Sequence, residues 1–237
     1  ETKVEETLNI FTTTSASYLL LASLDIAREH LVKNGCKRLD EVIEYASYFK
    51  ERVSDYYDIL DVSVLDNETA KDFDLTKLVI NVSKHNITGF QLYDMLRDEY
   101  RIQVELADFH NILCILSIGD TKENIDILIK ALIDISTKLK IQEKKVLHKD
   151  FFEIPKQVID PRTAYFSGKK SVYLRDSIGK ISGEMITVYP PGIPIISYGE
   201  RIEKEIIDYL EELRDNNCVI DGIADKNIEK IKIIEED

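Results

Sequence analysis

Ile102-Gln103-Val104-Glu105-Leu106, then Ile112-Leu113-Cys114-Ile115-Leu116, then Gly119-Asp120-Thr121 is the stretch that decides the fold. The first run alternates strictly. It predicts a strand with Ile102, Val104 and Leu106 facing a core and Glu105 on the opposite face. The second run is continuously apolar, the pattern of a strand covered on both faces. Gly119-Asp120 ends it, and Thr121 can cap a helix whose inner face is Ile125, Leu128, Ile129, Leu132, Ile133 and Leu139. Upstream, Thr88 and Gln91 have the spacing of a capping box, so a helix starts there and buries Leu92, Tyr93, Leu96 and Tyr100. Strands are predicted over Leu60–Leu65 and Leu75–Val82. Short strands and helices in this order give an α/β (α+β-like) domain over residues 36–147.

On the N-terminal side, Leu8–Phe11 reads as the end of a strand, followed by a hydroxyl cluster, Thr12 to Ser15 with Ser17. A helix follows from Tyr18 to Val32, stopped by Asn34-Gly35. Its first residues, Tyr18 to Ala22, are apolar on every side, which predicts burial inside a domain or at a subunit interface. A second helix runs from about Leu39 to Tyr56 with Val42, Ile43, Ala46, Phe49 and Val53 on one stripe. On the C-terminal side, Gln142 to Asp160 is mixed, charged and followed by Pro161, and marks a boundary. Beyond it, strands are predicted near Val172, over Met185–Tyr189 and over Ile193–Ile196, then a helix over Glu200–Arg214, then two short strands near Val219 and Ile228–Ile233. The organisation is residues 1–35 as the end of one domain with a connecting helix, 36–147 as a second unit and 148–237 as a third.

The 237 residues are 44% hydrophobic, with apolar runs throughout, which suffices for a real core and argues against disorder. A net charge of -13 makes nucleic acid a poor partner, because phosphate contacts need clustered Lys and Arg. The same charge gives solubility and only a weak, unspecific pull on cationic small molecules. Cys36, Cys114 and Cys218 are far apart and form no C-x-x-C pair, so they read as buried free thiols in a reducing compartment. His30, His85, His110 and His148 are scattered, which suggests no metal site. No apolar stretch is long enough to span a bilayer, and no leader is evident, so a cytoplasmic location is expected.

Three patterns together resemble the Orn/Lys/Arg decarboxylases, large fold-type I enzymes dependent on pyridoxal 5'-phosphate (PLP). The first is Thr13-Thr14-Ser15-Ala16-Ser17-Tyr18-Leu19-Leu20 running into Ala22-Ser23-Leu24-Asp25, similar to the family's T-T-S-P-S-Y-L-L…A-S-L-D. The second is Leu96-Arg97 with Ile102-Gln103-Val104-Glu105, similar to its G-I-x-x-E strand. The third is Pro161-Arg162-Thr163-Ala164-Tyr165, Gly179-Lys180-Ile181-Ser182-Gly183-Glu184 and Tyr189-Pro190-Pro191-Gly192-Ile193-Pro194 with Gly199-Glu200. It is similar to P-R-x-A-F, G-R-I-x-A-E and Y-P-P-G-I-P…P-G-E, and is the most specific of the three. The chain departs from the family at Thr12 (Gln), Ala16 (Pro), Tyr198 (often Pro) and Arg101 (Gly).

The resemblance implies an aminotransferase-type small domain followed by a C-terminal decarboxylase subdomain, preceded by interdomain helices. It implies decarboxylation of lysine, arginine or ornithine to an amine, in a homodimer or higher homo-oligomer. PLP catalysis needs an aldimine lysine, a carboxylate at the ring nitrogen and a stacking ring. The family carries that lysine in S-x-H-K upstream of T-T-S, so the cofactor is expected to be held mainly by a segment that precedes this one, and this chain alone is expected to be inactive. Ser83-Lys84-His85-Asn86 has the wrong order and place, and reads as a loop after a strand. Thr13, Thr14 and Ser15 are candidates for the PLP phosphate, since hydroxyls and N–H groups at a helix start suit an anion; the alternative is plain capping. By resemblance Glu105 meets the distal cation of the substrate, although the alternation alone points it to solvent. Glu184 and Tyr189 either line the active-site entrance or hold a turn-rich fold together. Arg162 reads as pairing with a carboxylate within the fold. A different reading is a non-catalytic binding or interaction module derived from the same fold.

Overall fold

A computed structural model describes residues 2–12, 15–64, 71–139, 154–189, 192–216 and 218–235. A short helix α1 (Thr2–Phe11) precedes α2 (Tyr18–Val53), a single helix of 36 residues. At 1.5 Å per residue α2 is a rod of roughly 54 Å. Its C-terminal part buries Val42, Ala46, Phe49 and Val53, while every described residue from Thr2 to Asn34 is exposed.

The middle unit is a four-stranded antiparallel sheet in the order β1-β2-β4-β3, built from β1 (Asp58–Ile59), β2 (Lys77–Asn81), β3 (Leu106–Ala107) and β4 (Asn111–Ile115). The register pairs Leu78 with Cys114 and Ile80 with Ile112, so one face of the sheet is a buried aliphatic layer. Two further helices, α3 (Gly89–Tyr100) and α4 (Lys122–Lys138), complete this unit. The last turn of α2 leads to Tyr57, whose buried hydroxyl donates to the Leu132 carbonyl of α4 at 3.0 Å. Arg38 of α2 donates to the carbonyls of Ile118 and Asp120 at 2.8 Å each, clamping the loop between β4 and α4.

The C-terminal unit holds α5 (Pro161–Phe166), β5 (Lys169–Tyr173), β6 (Ile186–Val188), β7 (Ile193–Ile196), α6 (Lys204–Asp215), β8 (Ile220–Asp221) and β9 (Lys230–Ile234). The strand β5 pairs with β9, and β6 lies between β7 and β8, all antiparallel. One apolar core runs through both units. The joint between them is aromatic: Phe109 meets Phe90 of α3 edge-on at 5.5 Å and Tyr209 of α6 at 5.8 Å.

Several expectations hold. The Thr88–Gln91 box is present in both directions: the Gln91 N–H donates to Thr88 Oγ1 at 3.1 Å and the Thr88 N–H to Gln91 Oε1 at 2.9 Å. Thr121 caps α4, accepting from the Asn124 N–H at 3.4 Å. Thr88→Ala removes one acceptor from the start of α3, and urea unfolding should show a loss of about 1 kcal/mol. An unchanged midpoint would mean that the cap does not hold this helix.

Others are corrected. Leu8–Phe11 is helical, not a strand end. Asn34-Gly35 does not stop a helix. One glycine costs only about 1 kcal/mol relative to alanine, and the packed stripe beyond it outweighs that. The single helix α2 runs across residue 35, and burial along it begins at Gly35. Ile43 lies off the buried stripe and is exposed. Leu60–Leu65 is not a strand; Asp61 accepts the Ser63 N–H at 3.0 Å, and this local turn bends the chain into a 3₁₀ segment over Val62–Val64. Leu65 lies outside the described residues. Of Ile102–Leu106 only Leu106 pairs as strand, because the preceding residues leave α3 through a left-handed turn at Arg101. β4 is covered on one face only, with Ile115 45% exposed. Cys36 is exposed rather than buried. Among the described residues Arg162 makes no ion pair. The helix α5 was not foreseen, although Asp160-Pro161 signals it: Asp160 accepts the Thr163 N–H at 3.0 Å and proline fills the first helical position.

Candidate active site

Glu105 sits where α3 hands over to the sheet. The N–H groups of Arg101 and Ile102 both reach the Leu96 carbonyl, which ends the helix and swings the chain round at Arg101 (φ 58°). The Glu105 N–H then donates to the Leu113 carbonyl at 2.9 Å, and Leu106 pairs with Leu113 in the sheet. The backbone of Glu105 is thus anchored on β4 while its side chain stays exposed.

Glu105 lines a cavity of about 360 Å³ enclosed by residues 101–105, the end of β4 and the first turns of α4. Ile115, Ile125 and Leu128 give it aliphatic walls. Its charged lining residues are Arg101, Glu105 and Asp120. Asp120 is engaged, accepting from the Ser117 N–H at 2.7 Å and the Ser117 hydroxyl at 3.0 Å. Neither Arg101 nor Glu105 has a side-chain partner among the described residues. Cys114 also lines the cavity, and burial pushes its thiol up to about 12, so it stays protonated at neutral pH and is no nucleophile. Aliphatic walls beside an open carboxylate suit an alkyl chain ending in a cation, with the Arg101 guanidinium on the same cavity.

Tyr189 lies on a different cavity, of about 220 Å³, between α3 and the C-terminal unit. Phe90, Tyr93 and Arg97 form the α3 side, and Asn216, Cys218 and Val219 the other. Arg97 is held by Asp94 at 2.9 Å and Asp98 at 2.7 Å. The Cys218 thiol is pushed up to about 12, chiefly by burial and further by Asp94 and Glu212.

Glu184 lines neither cavity. It is 4% exposed, and its two carboxylate oxygens accept the N–H groups of Ala224 at 3.1 Å and Lys232 at 3.0 Å. The Ser182 hydroxyl donates to its carbonyl at 2.7 Å. It ties three segments of the C-terminal unit together, which favours the fold-holding role over lining an entrance.

Thr13 and Thr14 lie outside the described residues, as do Pro190 and Pro191. Ser15 is exposed just before α2. About 30 Å of helix separates Tyr18 from Arg38, the residue that clamps the Asp120 carbonyl at the cavity wall.

A PLP group asks for a lysine, a ring-nitrogen carboxylate and a stacking ring in one place. Lys84, in the sequence nearest to that motif, pairs with Asp58 at 2.5 Å, while His85 is buried against Tyr57 with ring centroids 4.6 Å apart. The described residues around Lys84 and His85 do not bring such a set together. Nor do the described residues contain a group of three or more His, Cys, Asp or Glu placed to hold a metal ion. No helix among them is long and apolar enough to cross a membrane.

Sequence reasoning singled out Glu105 but neither Arg101, which lines the same cavity, nor the Arg38 clamp. The departure from glycine at 101 was the available signal for the first. The second links residues 80 and 82 positions apart and left no local trace.

The family description "Orn/Lys/Arg decarboxylase, C-terminal domain" matches residues 144–230, and "Orn/Lys/Arg decarboxylase, major domain" matches residues 1–79. The chain is 36% identical to the arginine decarboxylase of Bacillus subtilis, over 99% of this chain and 49% of that protein. It is 37% identical to the arginine decarboxylase of Halalkalibacterium halodurans, over 99% of this chain and 48% of that protein. Among solved structures, the Francisella novicida lysine decarboxylase superposes with a TM-score of 0.74 at 23% identity, over 97% of this chain and 44% of that one. The chain spans about half the length of the curated relatives it matches.

Proposed function

The chain belongs to the Orn/Lys/Arg decarboxylase family, and on that footing we propose that it is the C-terminal portion of a PLP-dependent decarboxylase of a basic amino acid, releasing CO₂ and an amine. The carrying observation is Glu105, an open carboxylate on an aliphatic cavity. Its role is to receive the distal ammonium or guanidinium of the substrate through a charge-assisted hydrogen bond. PLP, when bound, would supply a sink for the electron pair left behind when CO₂ departs. The segments of the complete protein outside this chain provide its lysine. Thr13, Thr14 and Ser15 offer hydroxyls to its phosphate at the start of α2. Tyr189 borders a second cavity on the approach side, and Glu184 positions the strands around it.

The middle unit acts as the aminotransferase-type small domain, and the protein works in the cytoplasm as a homodimer or higher homo-oligomer. Two observations support assembly: the apolar, exposed start of α2 (Tyr18 is 87% exposed), and the length of helix between Ser15 and the Glu105 cavity, which two copies bridge more simply than one. The complete protein mixed with PLP should show an aldimine absorption band, and residues 1–237 alone should show none. A band from this chain alone would sink the placement of the cofactor lysine. A complete protein without a band would favour the non-catalytic module.

A further inference from the structure

We propose that Arg101 is a specificity-determining residue of the Glu105 cavity, setting a positive charge beside the substrate's distal group and so favouring a guanidinium end over an ammonium end. This rests on the reading of Glu105 given above.

Two observations meet at this residue. Arg101 takes a left-handed backbone (φ 58°), a conformation that costs a non-glycine residue energy and that glycine adopts freely. And it lines the same cavity as Glu105, four positions away, with no ion-pair partner among the described residues. A strained residue persists where its side chain does something that offsets the strain, and the cavity is what this side chain reaches.

The chemistry follows from the two kinds of cation. An ammonium carries its charge on one strongly hydrated nitrogen, so a guanidinium beside Glu105 repels it at full strength. A guanidinium ligand spreads its charge over a plane, sheds water more readily, holds a carboxylate with two parallel N–H donors and can lie flat against a second guanidinium. Arg101 therefore weakens both ligands, and the ammonium more.

The test uses the complete protein and two probes that carry only the distal group, n-butylguanidinium and n-butylammonium, with dissociation constants from ligand-observed NMR. The parent should prefer the guanidinium. Arg101→Gln removes the charge but keeps a side chain in the left-handed turn, and should cut that preference about tenfold, mainly by tightening the ammonium. Arg101→Gly should do the same and also raise the unfolding temperature. An unchanged preference in Arg101→Gln overturns the proposal, and so does a change confined to Arg101→Gly, which would make the backbone responsible. Glu105→Gln separates the two readings. If it weakens both probes while Arg101→Gln leaves the preference alone, only the role of Arg101 fails. If it changes neither, or the parent binds neither, the reading of Glu105 fails and takes this inference with it.

Discussion

On the proposed function, Glu105→Gln in the complete protein is expected to lower kcat/KM for basic amino acids by roughly 10- to 100-fold, the loss expected when a hydrogen bond to a charged group gives way to a neutral one, about 1.5–3 kcal/mol. The fold should not notice. Glu105 is exposed, its carboxylate has no partner among the described residues, and its backbone bond to Leu113 is kept by glutamine. Stability should therefore stay within about 0.5 kcal/mol of the parent. The pairing of a large kinetic effect with an unmoved unfolding midpoint is what marks a ligand contact. A panel of arginine, lysine and ornithine reads the kinetics and a thermal melt reads the fold. Turnover of these substrates by the variant equal to the parent's would remove Glu105 from the site.

The opposite profile is expected at Glu184. Glu184→Ala strips the acceptors from the N–H groups of Ala224, in the loop after β8, and Lys232, in β9, and leaves a small void between them. An orphaned buried donor costs about 1–3 kcal/mol, and these two are part-buried, so the C-terminal unit should lose roughly 1–4 kcal/mol. Glu184→Gln keeps the volume and one carbonyl oxygen and should lose less. Urea unfolding followed by tyrosine fluorescence measures both. If alanine at this position leaves the midpoint unmoved, the network around Glu184 is not what joins β9 to the preceding turn, and its carboxylate would be available for other work. Because one core runs through both units, the loss should also loosen the aromatic joint at Phe109 and with it the cavity that Tyr189 borders.

The contrast between these two glutamates shows what each source of information can carry. Both stand in stretches that resemble the same family, and by resemblance both were candidates for the substrate. Local patterns determined the elements whose causes are local. Thr88 and Gln91 fixed the start of α3, Thr121 the start of α4, and the apolar periodicities of Leu92–Leu96 and Ile125–Leu132 fixed which sides of those helices are buried. The motifs fixed the family. Where a competing interaction was equally local but weaker in pattern, the sequence misled: Asp61 turned a predicted strand into a bend, and Gly35 failed to end a helix whose later packing outweighs one glycine.

Tertiary structure alone decided which carboxylates were left open. Burial depends on what the rest of the chain places overhead, and no alternation of residues reports that. Glu184 closes on backbone N–H groups 40 and 48 positions away, whereas Glu105 is turned outward by the Arg101 corner onto a cavity that α4 helps to wall. The start of α2 is the remaining case: its apolar residues predict burial in the sequence, yet Tyr18 to Ala22 are exposed in this chain, because nothing among the described residues packs over them.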